Sequence, residues 1–144
     1  MFKNIKVVVH AEGCAPVKVD EGDWVDLKTA SETWIAPGAY SLLSLGISMK
    51  LPKGYEAVVA PRSSTFSRYG IIMANGIGVI DNSYSGTNDV WKFPAINMTD
   101  ERVFIPRGAR IAQFRIQKKQ PTLLFDFTDK LDSVDRGGFG STGR

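Results

Sequence analysis

Three stretches of this 144-residue chain set polar, charged and glycine residues where backbone groups can meet a ligand. In "APRSSTFSRYG", residues 60–70, Arg62, Ser63 and Ser64 come directly before a helical start, where free backbone N–H groups attract anions. In "ANGIGVIDNSYSG", residues 74–86, Asn75 and Gly76 fit a tight hairpin turn, and the returning strand ends in Asp81 and Tyr84. In "RGGFGSTGR", residues 136–144, glycine N–H groups, Ser141 and Thr142 are donors for phosphate, and Arg136 is a charge-assisted clamp. Phe139 has no core to join within that run and suits stacking on a flat base. No GK[ST] opens a helix there, so phosphate would be held by a flexible arm and not by a P-loop. Taken singly, the three stretches have plainer readings: a capped helix, a surface hairpin with an Asp turn, and a frayed, solvated tail.

The elements that position these residues are read from a period of two. In "LSLGISMKL", Leu43, Leu45, Ile47, Met49 and Leu51 share one face, with Ser44, Gly46, Ser48 and Lys50 opposite, which predicts one half-buried strand. Similar runs, "IKVVVH", "YEAVVA", "GVID", "VWKFPAI" and "ARIAQFRIQ", are separated by "PKG", "NG", "SG" and "PRG", which are turn signals at strand-like spacing. An all-β sandwich or barrel is expected. Only residues 62–70 suit a turn or two of helix, with a Ser near the start as N-cap and Gly70 as the stop. On the last run, Ala112, Phe114 and Ile116 suit the core, which turns Ile111, Gln113, Arg115 and Gln117 the other way.

Composition limits the function classes. A chain of this length builds one ordinary core, and no apolar run approaches the roughly 20 residues of a membrane span. "MFKNIKVVVH" lacks a small-residue cleavage site, so no signal peptide and a cytoplasmic location are expected. Cys14 is the single cysteine and His10 the single histidine, which leaves no intrachain disulfide and no CxxC metal site. Both read as strand residues and not as catalysts. The net charge of +3 suits an anionic ligand, but no Lys/Arg run exceeds the two at 118–119, so neither a nucleic-acid groove nor a membrane surface is expected.

In order, "EGDWVDL" (21–27), "APRSSTF" (60–66), "NGIGVIDNSYSG" (75–86), "RGARIAQF" (107–114) and "DRGGFGSTG" (135–143) resemble the five motifs of the trimeric dUTP diphosphatases, or dUTPases. The resemblance spans Glu21 to Gly143; its third and fifth motifs are the specific ones. It implies a jelly-roll-like β-barrel or sandwich, residues 1–128, as the subunit of a homotrimer, and a flexible Gly-rich C-terminal arm, residues 129–144, closing over a neighbouring subunit's site. At about 3.3 Å per residue that arm spans roughly 50 Å when extended, enough to reach a neighbour. The implied activity is hydrolysis of dUTP to dUMP and pyrophosphate with Mg²⁺, which limits uracil incorporation into DNA and supplies dUMP for dTMP synthesis.

By the same resemblance, uracil enters the hairpin that carries Asn75, Gly78 and Ile80, where small residues such as Gly76 and Gly78 let backbone come close. Tyr84 packs on the deoxyribose and Asp81 activates the attacking water. Arg62, Ser63, Ser64, Gln113, Arg136, Gly140, Ser141 and Thr142 grip the phosphates, and Phe139 covers the base. Mg²⁺ rides on the triphosphate, with Asp26 touching its hydration shell. The chain departs from the family pattern at Trp24 and Val25, at Ser64, where Gly is usual, and at Ala109, which removes the acid usually beside Arg110. "NDVWKFPA" is also atypical: Trp91 and Phe93 read as strand core or as a second aromatic lid. Two rival functions share the fold, dCTP deamination and nucleotide-gated regulation. A phage-type member would add a protein partner, but the chain lacks a large insertion between the fourth and fifth motifs and retains Asp81 and the arm.

Overall fold

A computed structural model describes residues 2–140 and Gly143. Ser141 and Thr142, expected among the phosphate ligands, lie outside the described residues. Eleven strands and one short helix follow in the order β1 (Lys6–Val9), β2 (Val25–Lys28), β3 (Thr33–Ile35), β4 (Tyr40–Ser44), β5 (Ile47–Lys50), β6 (Tyr55–Pro61), α1 (Thr65–Tyr69), β7 (Ile71–Met73), β8 (Gly78–Ile80), β9 (Lys92–Asn97), β10 (Val103–Ile105) and β11 (Arg110–Lys118). The two larger sheets have strand orders β2-β11-β6-β8 and β4-β9-β7, and two-stranded ribbons join β1 with β5 and β3 with β10. All pairings are antiparallel. The result is the all-β jelly roll that the turn spacing and the resemblance led to.

The inward faces make one core, with Leu45, Ile47, Ala57, Phe93, Ala95, Ile105, Ile111 and Ala112 all fully buried. Trp91 and Phe93 belong to it, at 1% and 0% exposure, so the aromatic-lid alternative for them fails. The Trp91 ring meets Phe114 edge-on at 5.2 Å between centroids, a favoured aromatic geometry.

Three readings are corrected by how the strands divide. "LSLGISMKL" is two strands: the alternating apolar face is buried as expected, but the chain breaks at Gly46, and β4 and β5 join different sheets. Gly46 has φ +68°, and a Cβ there would stand 2.7 Å from Cys14 Sγ, so glycine is required on both counts. On β11 both Ile111 and Ala112 are buried, because the register with β2 shifts between Arg110 and Ala112. Such a bulge places two residues opposite one and breaks strict alternation. His10 and Cys14 lie just past β1 and not within a strand. Cys14 is buried in the core, which raises its thiol pKa by desolvation, and His10 Nε2 is 3.0 Å from Ser48 Oγ.

Candidate functional site

The central strand β11 aligns the first group of polar residues. Gln113 lies directly across from Asp26 on β2 and from Ala60 on β6, so all three share a row, and Arg62 follows two residues beyond Ala60. Arg62 Nε lies 3.1 Å from Asp26 Oδ1, and Arg110 Nη1 is 3.9 Å from Asp26 Oδ2. Gln113 Nε2 donates to the Pro61 carbonyl at 3.1 Å. Asp26, Arg62, Ser63 and Gln113 line one cleft of about 360 Å³, together with Asp23 and Trp24. Arg110 thus has an acidic partner, although Ala109 is apolar: Ala109 is buried and its N–H donates to Thr29 Oγ1, while Asp26 supplies the charge.

Helix α1 starts beside this cleft. Ser64 is its N-cap and Gly70, in the left-handed region at φ +68°, its C-cap. The Ser64 side chain makes no capping hydrogen bond. Thr65 does the anchoring: its Oγ1 accepts from the Arg62 N–H at 2.9 Å and donates to the Ile111 carbonyl at 2.7 Å. That buried hydroxyl fixes the backbone next to Arg62 and Ser63. Sequence reasoning did not single it out, because its partner is 46 residues away.

The second group is local. Gly76 has φ +73°, as its turn demands, and its N–H donates to Met73 O at 3.0 Å. The two arms do not form a hairpin ladder. β7 pairs with β9, whereas β8 pairs with β6, so each is the edge of a different sheet. Packing in the core separates them, and both inner edges are left with backbone donors and acceptors unpaired in the ladders. A Cβ on Gly78 would meet Val59 Cβ at 3.2 Å, so the room spared there is taken by β6.

After β8 the chain turns sharply. Asp81 Oδ2 accepts from the Ser83 N–H at 3.0 Å and from the Ser83 hydroxyl, an Asx turn legible in the spacing "DNS". These bonds, the hydroxyl's first, hold the Asp81 carboxyl below the ordinary carboxylate range, with Lys119 lowering it further. Asn82 Nδ2 donates to Pro52 O and Tyr55 O at 2.9 and 2.8 Å, fixing the turn to the body. Tyr84 donates its hydroxyl to Val90 O at 3.1 Å, which sets the ring orientation. Ile80, Asp81, Ser83, Tyr84 and Lys92 line a cleft of about 350 Å³. Ser83 and Asn82 were not among the expected site residues.

The two clefts share no lining residue. After β11 the chain leaves the sheets: residues 120–140 are exposed and hold no strand, and Arg136, Phe139 and Gly140 contact neither cleft.

A jelly-roll subunit with its polar residues in two separate clefts is the class these features define. Residues 25–143 match the dUTPase family model. The chain is 49% identical over 126 residues to the SPbeta prophage-derived deoxyuridine 5'-triphosphate nucleotidohydrolase YosS of Bacillus subtilis, covering 88% of this chain and 87% of that protein. The dUTPase of Streptococcus mutans superposes with a TM-score of 0.73 at 27% identity, over 87% of this chain and all of that one. The Staphylococcus bacteriophage 80alpha dUTPase with dUPNHPP has the same fold, with a TM-score of 0.82 at 19% identity, over 99% of this chain and 100% of that one. The chain belongs to the dUTPase family.

Proposed function

We propose that the chain hydrolyses dUTP to dUMP and pyrophosphate at sites assembled between copies in a homotrimer. The observation that carries this reading is the division of the polar residues between two clefts. One sets the Asp81 carboxylate, which forms no ion pair among the described residues, beside the Tyr84 ring; the other has Arg62, Ser63 and Gln113, with its Asp26 carboxylate tied to Arg62, and neither alone is a complete hydrolytic site. Joining the Asp81 cleft of one copy to the Arg62 cleft of another completes it. The arm of residues 129–144 closes from a further copy, with Phe139 over the base and Arg136, Gly140, Ser141 and Thr142 on the phosphates.

Uracil sits against the unpaired edges of β7 and β8 near Asn75, Gly78 and Ile80, where fixed backbone groups reject the cytosine amine by leaving polar groups unpaired. The Tyr84 ring, held through its hydroxyl, packs on the deoxyribose and leaves no partner for a 2′-hydroxyl. Both hydrogen bonds to Asp81 from Ser83 end on Oδ2, so Oδ1 takes the proton of a water aimed at the α-phosphorus. The water oxygen bonds to that phosphorus, the bond to the bridging oxygen breaks, and pyrophosphate leaves. Arg62, Ser63, Ser64 and Gln113 hold the phosphates through this displacement.

Among the described residues no cluster of three or more His, Cys, Asp or Glu makes a protein cage for a metal. Asp26, ion-paired to Arg62 and sharing its cleft with Asp23, would hold a Mg²⁺ ion through the ion's hydration shell. Bound there, the ion would neutralise charge on the phosphate oxygens. No helix among the described residues is long and apolar enough to cross a membrane, and the reading puts the enzyme with the nucleotide pool of the cytoplasm. Hydrolysis in ¹⁸O-labelled water tests the reaction: the label is expected in dUMP. Label in pyrophosphate, or ammonia release from dCTP, overturns it.

A further inference from the structure

Six of the chain's 18 Lys and Arg residues, all of them exposed, gather at one end of the β-body beside the Asp81 turn. Lys6 on β1 and Lys50 on β5 stand directly opposite each other in the ladder, a like-charge pairing that costs stability. Lys3 holds its Nζ 5.2 Å from the centre of the Tyr55 ring, and Tyr55 is the ladder partner of Lys118. Lys53 lies in the turn between β5 and β6, next to Pro52 and two residues before Tyr55 at the start of β6, whose carbonyls are the anchors of Asn82. Lys119, whose N–H donates to Gly54 O at 3.0 Å, is close enough to lower the Asp81 pKa. Among the described residues none of the six forms an ion pair. The acids in the same stretches are Glu56, which accepts from Gln117, Asp81 itself, and Asp89, whose Oδ2 accepts from the Gly86 N–H beside Lys6 and Lys50. Lys92 continues the line into the Asp81 cleft.

A concentration of one sign of charge around a cleft raises the encounter rate of an oppositely charged ligand, by a factor that falls steeply with salt. We infer that this lysine crescent steers the polyanionic nucleoside triphosphate into the Asp81 cleft, acting on association and not on the chemical step. The inference rests on the proposed dUTP hydrolysis.

The test is stopped-flow binding of dUPNHPP to the full-length protein across an NaCl series. The native chain is compared with a Lys6→Glu/Lys50→Glu/Lys53→Glu variant and with the matching Lys→Gln variant, in case charge reversal prevents folding. The native association rate should fall steeply with salt. At low salt the Glu variant should associate roughly tenfold more slowly and the Gln variant about threefold, the curves converging at high salt, with dissociation and saturated dUTP turnover unchanged. Equal association rates at low salt would overturn steering, as would a loss of affinity carried by faster dissociation. Native protein that neither binds dUPNHPP nor cleaves dUTP would instead overturn the functional reading, and the inference with it.

Discussion

The two clefts are built by different means. The Asp81 turn is shaped by bonds between near neighbours, Ser83 to Asp81, the Tyr84 hydroxyl to Val90 O and the Tyr84 N–H to Asp81 O, and among the described residues only Asn82 ties it to distant backbone at Pro52 and Tyr55. The Arg62 cleft exists only because three strands come into register, so that Asp26, Gln113 and Arg62 meet from positions far apart in the chain. A locally bonded turn holds a base at a set angle before any ligand arrives. An ion-paired cleft is satisfied without ligand, and on the proposed reading phosphate would compete with Asp26 for Arg62. The proposal accordingly gives chemistry to the first cleft and phosphate binding to the second.

Substitutions in the two clefts should separate kcat from KM. Asp81→Asn keeps the shape and removes the proton acceptor, so kcat should fall by at least about a hundredfold with little change in dUPNHPP affinity. A weakened affinity with kcat retained would break the contrast. Truncation after Asp135 removes Phe139 and the donors of the arm, and kcat/KM should fall roughly a hundredfold while thermal unfolding is unchanged. Arg62→Gln loses one charge-assisted phosphate contact, which is worth about 1.5–3 kcal/mol, so kcat/KM should fall ten- to hundredfold, mainly through KM.

Smaller effects sharpen the picture. Tyr84→Ala should lower the dUTP-over-UTP preference about tenfold, read from kcat/KM for both substrates. Unchanged selectivity would remove Tyr84 from sugar recognition. Ser83→Ala takes away the hydroxyl that holds the Asp81 carboxyl low. The folded-state pKa then rises toward the ordinary value, and the acid limb of the kcat/KM profile should move to higher pH. An acid limb that stays in place would mean that another group sets it.

The difference between the clefts also explains what could be read from sequence. The turn was legible because its partners lie within a few residues: Asn75-Gly76 marks the reversal, and Asp81-Asn82-Ser83 carries its own hydrogen-bond pattern. The strands were legible from alternation, apart from places where one residue departs from it. Gly46 splits an apparent single strand because Cys14 occupies the space a side chain would need. The shift between Arg110 and Ala112 buries Ile111 as well as Ala112. That β7 and β8 belong to different sheets is a matter of long-range pairing, which a local turn signal does not contain. The Asp26–Arg62–Arg110 group and the Thr65 anchor were hidden for the same reason.

The central claim is that neither cleft works without the other, supplied by a second copy. Asp81→Asn and Arg62→Gln proteins would be mixed under conditions that exchange subunits, with exchange verified by native mass spectrometry, and dUTP turnover measured at substrate far below the native KM, where each variant alone is expected to be weak. Sites drawing their halves from different copies should recover roughly a quarter of native activity, the chance that both halves are intact. Verified exchange with no recovery would contradict the account, because it would place Asp81 and Arg62 of one chain in the same site.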